Sequence, residues 1–124
     1  MARILVIDDN QAELHHLTIL LEKHGHQVIA AENGADGIVL CIDEQPDVVL
    51  MDNIMSEING FQATRQLANN NKTQHIPIII ISDPLQDADK VWGQRQGAKG
   101  FLFKPITEKN LITSLDNILE TMLI

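Results

Sequence analysis

Val48-Val49-Leu50-Met51-Asp52 is an apolar run of strand length that closes on a carboxylate. With no polar alternation along it, it reads as a strand buried on both faces, as in a parallel sheet covered by helices. Three more stretches share the design. Ile4-Leu5-Val6-Ile7 runs into Asp8-Asp9, Ile78-Ile79-Ile80-Ile81 into Ser82, and Phe101-Leu102-Phe103 into Lys104-Pro105. Open α/β sheets bind their ligands at the carboxyl ends of the strands. Four strand tips would therefore bring three carboxylates, one hydroxyl and one ammonium to a single edge.

Between these runs the apolar period changes to that of helices. Leu14, Leu17 and Leu21, widened by Ile19 and Leu20, predict a first helix capped by Asn10 or Asp9 and ended by Gly25. Strand 2 is Gln27 to Ala31, and Asn33-Gly34 is a turn signal. A second helix runs from about Ala35 to Glu44 and is stopped by Pro46; a third runs from about Phe61 to Asn69. Strand 4 opens at Ile76-Pro77, a fourth helix covers about Gln86 to Gln96, and strand 5 is Gly100 to Phe103. Thr107 is the expected cap of a fifth helix carrying Leu111, Ile112, Leu115, Ile118, Leu119 and Met122, with core closure by its last residues. Five β-α units with no linker or internal repeat predict one α/β domain over residues 1–124, without an output domain. The expected architecture is a flavodoxin-like, doubly wound parallel sheet of order 2-1-3-4-5, with right-handed crossovers and five helices. In that order strands 1 and 3 are neighbours, so Asp8, Asp9 and Asp52 converge.

Composition narrows the function. The 124 residues carry 9 Lys and Arg against 17 Asp and Glu, a formal net charge of −8, which argues against nucleic-acid binding and against an anionic membrane surface. The chain shows no signal peptide and no apolar run of membrane-spanning length, and its one cysteine, Cys41, suits a buried helix position in a reducing cytoplasm. The five histidines lack metal-ligand spacing and read as surface residues. Trp92 is either a packing residue or a partner contact.

Two carboxylates about 4 Å apart repel by about 4 kcal/mol at an effective dielectric of about 20, so three in one crevice call for a proton or a cation. An all-oxygen set selects a hard ion, and Mg²⁺ is the ion that couples one or two carboxylates to a phosphate. Lys104 and Ser82 can bind phosphoryl oxygens, and Asp52 is the candidate nucleophile. Taken singly, each residue has a plainer reading. Asp8-Asp9 would be a helix cap, Asp52 and Ser82 turn residues, and Lys104 a solvated charge. Their specificity lies in occurring together, each at the carboxyl end of its strand.

With these residues the whole chain resembles the CheY-like receiver domain of two-component response regulators. The matching positions are Asp8-Asp9, Val48 to Asp52, Met55, Asn59-Gly60, Ser82, Gly97-Ala98, Phe101 and Lys104-Pro105. The resemblance implies that Asp52 is a phosphoacceptor served by a histidine kinase. It also implies that Asp8, Asp9, Asp52 and the backbone carbonyl of Ile54 hold Mg²⁺, and that Ser82 and Lys104 bind the phosphoryl group. Phe101 would turn inward as Ser82 moves, changing the helix 4–strand 5–helix 5 face for a downstream protein, and the Lys104-Pro105 bond is often cis in the family. Such a protein is a signalling phosphoacceptor, not an enzyme acting on other substrates. Residues 1–5, 21–28, 59–67 and 89–98 further resemble the single-domain regulators of type IV pilus twitching motility, the PilH group, which implies a chemotaxis-like kinase. Two other readings stand beside this one. The first is a degenerate receiver that binds partners without phosphate. The second is an aspartyl-nucleophile phosphatase, which would want an acid two residues after Asp52, where this chain has Ile54.

Several positions depart from the family pattern. Asn53 replaces an aliphatic residue, Ser56 a proline and Asn59 an aspartate, and Asp83-Pro84 follows Ser82 where a small residue is usual. Ile54 and Pro84, both apolar, would flank an attacking water without orienting it, so slow autodephosphorylation is expected. Asp83, conversely, would repel an incoming phosphodonor.

Overall fold

The structure is a computed structural model describing residues 1–55, 58–83, 91 and 93–122. β1 (Arg3–Ile7), β2 (Gln27–Ala31), β3 (Val48–Asp52), β4 (Ile78–Ser82) and β5 (Gly100–Phe103) form one parallel sheet in the order β2-β1-β3-β4-β5, the order expected. Ile7 pairs with Met51 and Asp52 with Ile81, so the tips of β1, β3 and β4 lie level. Every residue of β3 and β4 is buried, as an unbroken apolar run on a two-sided sheet requires, whereas edge strand β2 is mostly exposed or half-buried.

The helices are α1 (Gln11–Lys23), α2 (Gly34–Glu44), α3 (Gly60–Ala68) and a C-terminal helix (Glu108–Met122). Residues 91 and 93–95 are helical and belong to the expected fourth helix; the rest of that span, with Pro84 and Trp92, lies outside the described residues. Side-chain alternation along β1 divides the core in two. Ile4 and Val6 pack with Leu17 and Leu21 of α1 and Leu111 and Leu115 of the C-terminal helix. Leu5 and Ile7 pack on the other face with Cys41 of α2 and Ala63 and Leu67 of α3. Each such fully buried Leu or Ile contributes about 1.5–3 kcal/mol.

The caps correct two sequence readings. Asn33 is not half of a free turn; its side chain accepts from the Asp36 N–H and caps α2, which therefore starts at Gly34. Asn59 likewise caps α3 through a reciprocal box with Gln62, so this helix begins at Gly60 and ends at Ala68, one residue earlier than expected at each end. β4 begins at Ile78, because Pro77 has no N–H to give and contributes only its carbonyl, to the Val49 N–H. Thr107 caps the C-terminal helix as anticipated, accepting from the Asn110 N–H at 3.1 Å. Leu119 is half-buried against the core, while Leu123 and Ile124 lie outside the described residues. His15, His16, His24 and His75 are exposed, and half-buried His26 accepts from the Ala2 N–H. Gly60 has a steric reason to be glycine: a Cβ there would stand 2.6 Å from the Asp52 carbonyl oxygen. Its absence lets the start of α3 press against the end of β3.

Candidate functional site

β1 and β3 deliver Asp8 and Asp52 to the crevice at the carboxyl edge, where they are only 1% and 2% exposed. The Asp8 N–H donates to the Ala31 carbonyl, which fixes the β1 tip, and Asp8 Oδ1 accepts from the Asn10 N–H at 2.9 Å. Asp8 Oδ2 is buried with no hydrogen-bond partner. Asn10, the N-cap of α1, accepts from the Glu13 N–H at 3.1 Å and so sets Glu13 in the helix's first turn, facing the same crevice. Carboxylate oxygens of Asp8, Glu13 and Asp52 lie within 4.8 Å of one another. Asp9 is exposed beside them, and its charge acts on Asp52.

Lys104 enters from the end of β5. Its N–H donates to the Ser82 carbonyl at 2.8 Å, and its peptide bond to Pro105 is cis. Its Nζ lies 3.0 Å from Asp52 Oδ1 and 3.0 Å from Glu13 Oε2, bridging the two carboxylates. Asp52 Oδ1 is buried, and the Lys104 ammonium at 3.0 Å is the charge set against it. Ser82 is buried at the tip of β4. Phe101 is half-buried and packs in the α2–α3 side of the core, against Gly93. Ile54 is 61% exposed in the loop after β3, and Asp83 is exposed after Ser82.

This crowding moves the titrations. Burial, opposed by the Asn10 N–H but reinforced by Glu13 and Asp52, pushes Asp8 up to about 7. Burial also raises Asp52, against the pull of Lys104. For Lys104, burial works against the charge, but Glu13 and Asp52 together overcome it and hold the ammonium firmly protonated. One cation thus faces several carboxylates, and the deficit is borne by a raised Asp8 and an orphaned oxygen.

The expected residues Asp8, Asp52, Ser82 and Lys104 all reach this edge. Glu13 was not foreseen from sequence. Three residues past a capping Asn, it reads as an ordinary acidic partner of the helix dipole. The signal that could have exposed it is that the same helix start follows directly on the Asp8-Asp9 tip.

Residues 4–116 match the response regulator receiver domain model, and the chain belongs to that family. It is 54% identical over 119 residues to the protein PilH of Pseudomonas aeruginosa, covering 96% of this chain and 98% of that one. Among solved structures, the fold is similar to that of the chemotaxis protein CheY4 of Vibrio cholerae, with TM-score 0.91, 24% identity and coverage of 95% and 98%. It is similar also to the receiver domain of the sensor histidine kinase PA1611 of P. aeruginosa, with TM-score 0.88, 22% identity and coverage of 96% and 98%. That domain is described with a magnesium ion coordinated in its active-site cleft. The flavodoxin-like, CheY-like fold and the two-component signalling class expected from sequence therefore hold. No described helix is long and apolar enough to cross a membrane.

The residues present fit a hard divalent cation. The carboxylates gathered at this edge offer only oxygen, and the buried Asp8 Oδ2 lacks a partner that such an ion supplies.

Proposed function

We propose that this chain is a response-regulator receiver whose Asp52 accepts a phosphoryl group from a histidine kinase. The observation that carries the reading is the pairing of buried Asp52 with Lys104 at 3.0 Å, beside the partnerless oxygen of Asp8. In the transfer, an Asp52 carboxylate oxygen forms a bond to phosphorus. The phosphorus–nitrogen bond to the kinase histidine breaks, and its electron pair stays on the imidazole, which takes up a proton. Lys104 holds a phosphoryl oxygen with its ammonium, and the Ser82 hydroxyl donates to another. Asp8, Asp9, Asp52 and the Ile54 carbonyl are the proposed holders of Mg²⁺, with Asp8 the best supported because it is buried, level with Asp52 and short of a partner. Bound there, the ion supplies positive charge against the transferring phosphoryl group.

Phosphorylation draws Ser82 toward Asp52 and lets Phe101, packed against Gly93, turn inward. The face formed by the fourth helix, β5 and the C-terminal helix then changes for a protein partner. The likeness to PilH supports twitching motility or a related chemotaxis-like pathway, and the formal net charge of −8 favours a protein partner in the cytoplasm over nucleic acid or an anionic membrane. The test is phosphotransfer. A labelled phosphohistidine kinase domain is mixed with the protein in Mg²⁺; label should move to wild type and not to Asp52→Asn. Label retained on the kinase in both cases would overturn the reading.

A further inference from the structure

We infer that Glu13 is a positioning residue that holds Lys104 in reserve, acting as an internal stand-in for a phosphoryl oxygen. The inference rests on the reading of Asp52 as phosphoacceptor. Lys104 Nζ stands equidistant, at 3.0 Å, between Glu13 Oε2 and Asp52 Oδ1. One of these two carboxylates is the proposed acceptor; the other is an anion in the place where Lys104 would meet the oxygens of a bound phosphoryl group. The Glu13 side chain is 35% exposed and that of Lys104 23% exposed, so their attachment is intermediate between a surface pair and a buried one. It is strong enough to hold the lysine at rest and weak enough to be exchanged. The N-cap bond from Glu13 N–H to Asn10 fixes the backbone of α1 at this point, so the carboxylate can leave Lys104 by side-chain rotation alone.

Glu13 has two opposed effects. With Asp8 and Asp52 it gathers negative charge within 4.8 Å, around the buried and partnerless Asp8 Oδ2, which favours a divalent ion. By occupying Lys104 it also competes with the phosphoryl group. Removing its charge should therefore weaken metal binding and strengthen phosphoryl binding, an opposition that no general damage to the fold reproduces.

The experiment titrates wild type and Glu13→Gln with Mg²⁺ by calorimetry, then with beryllofluoride at saturating Mg²⁺, following amide shifts by NMR. Glu13→Gln should bind Mg²⁺ about two- to fivefold more weakly and beryllofluoride about two- to fivefold more tightly, the range of a partly exposed ion pair. Glu13→Ala, which cannot touch Lys104 at all, should show the same pair of opposite shifts and serves if the glutamine variant folds poorly. Beryllofluoride binding that is unchanged or weaker in both variants overturns the role of Glu13 while leaving Asp52 as acceptor. Failure of wild type to bind beryllofluoride in Mg²⁺ overturns the phosphoacceptor reading itself.

Discussion

A proton and a divalent ion should compete for Asp8, and the competition can be sized. Asp8 is 1% exposed and is raised to about 7, chiefly by burial and then by Glu13 and Asp52. It is about nine-tenths ionised at about pH 8 and about one-tenth at about pH 6, so the apparent Mg²⁺ affinity should fall about tenfold between them, about 1.4 kcal/mol. Near pH 7 each ion bound should expel about half a proton from Asp8, read by calorimetry in two buffers of different ionisation enthalpy. The same group sets the sign of the stability profile without metal. Its folded pKa lies above its unfolded one, so the stability it contributes is complete below about pH 4 and is lost as pH rises to about 7. Three units at about 1.4 kcal/mol each put the span at up to about 4 kcal/mol, and Asp52, also raised, adds in the same direction. Asp8→Asn should remove most of this slope and melt higher than wild type at about pH 8 without metal, at the expense of Mg²⁺ binding. A Mg²⁺ affinity that is flat across this range, with no buffer-dependent heat, would refute the reasoning.

Lys104→Met should leave buried Asp52 without its cation and destabilise the fold by about 1–3 kcal/mol in urea melts. Gly60→Ala drives a Cβ to 2.6 Å from the Asp52 carbonyl and should cost about 1–3 kcal/mol in the same melts, while weakening Mg²⁺ binding by displacing the β3 tip. Asn59→Ala removes the cap and its reciprocal bond from α3 and should cost about 1 kcal/mol. Cys41, fully buried and with its thiol pushed up to about 11 by that burial, should be inert to a thiol reagent in the native protein and react only once denaturant unfolds it.

The sheet was legible because unbroken apolar runs of strand length alternate with helical spacing, a pattern only a two-sided parallel sheet accommodates. β1, β2, β3 and β5 fall where the residues place them, and the level tips of β1 and β3 follow from the strand order. What could not be read was side-chain direction at the helix starts. Asn33-Gly34 looks like a turn because the same small polar residues favour turns and caps, and only the Asp36 N–H pointing at Asn33 decides between them. Glu13 was hidden for a related reason. Its position in the helix explains an acidic residue adequately, and nothing local shows that α1 aims it at a lysine 91 positions later, as their ion pair does. The phosphatase alternative gains no support from the fold, since the residue two after Asp52 is an exposed isoleucine. Asp83 stands exposed beyond Ser82, so its effect on an incoming donor remains an electrostatic expectation to be tested by Asp83→Ala phosphorylation rates.

The most direct measurement is intact mass after incubation with acetyl phosphate, with and without Mg²⁺, for wild type and Asp52→Asn. Wild type should gain one phosphoryl group, labile to acid and dependent on the ion, and peptide mapping should locate it on Asp52. A wild-type mass that never shifts, or an equal gain in the variant, would contradict the claim that these strand tips meet to phosphorylate one aspartate.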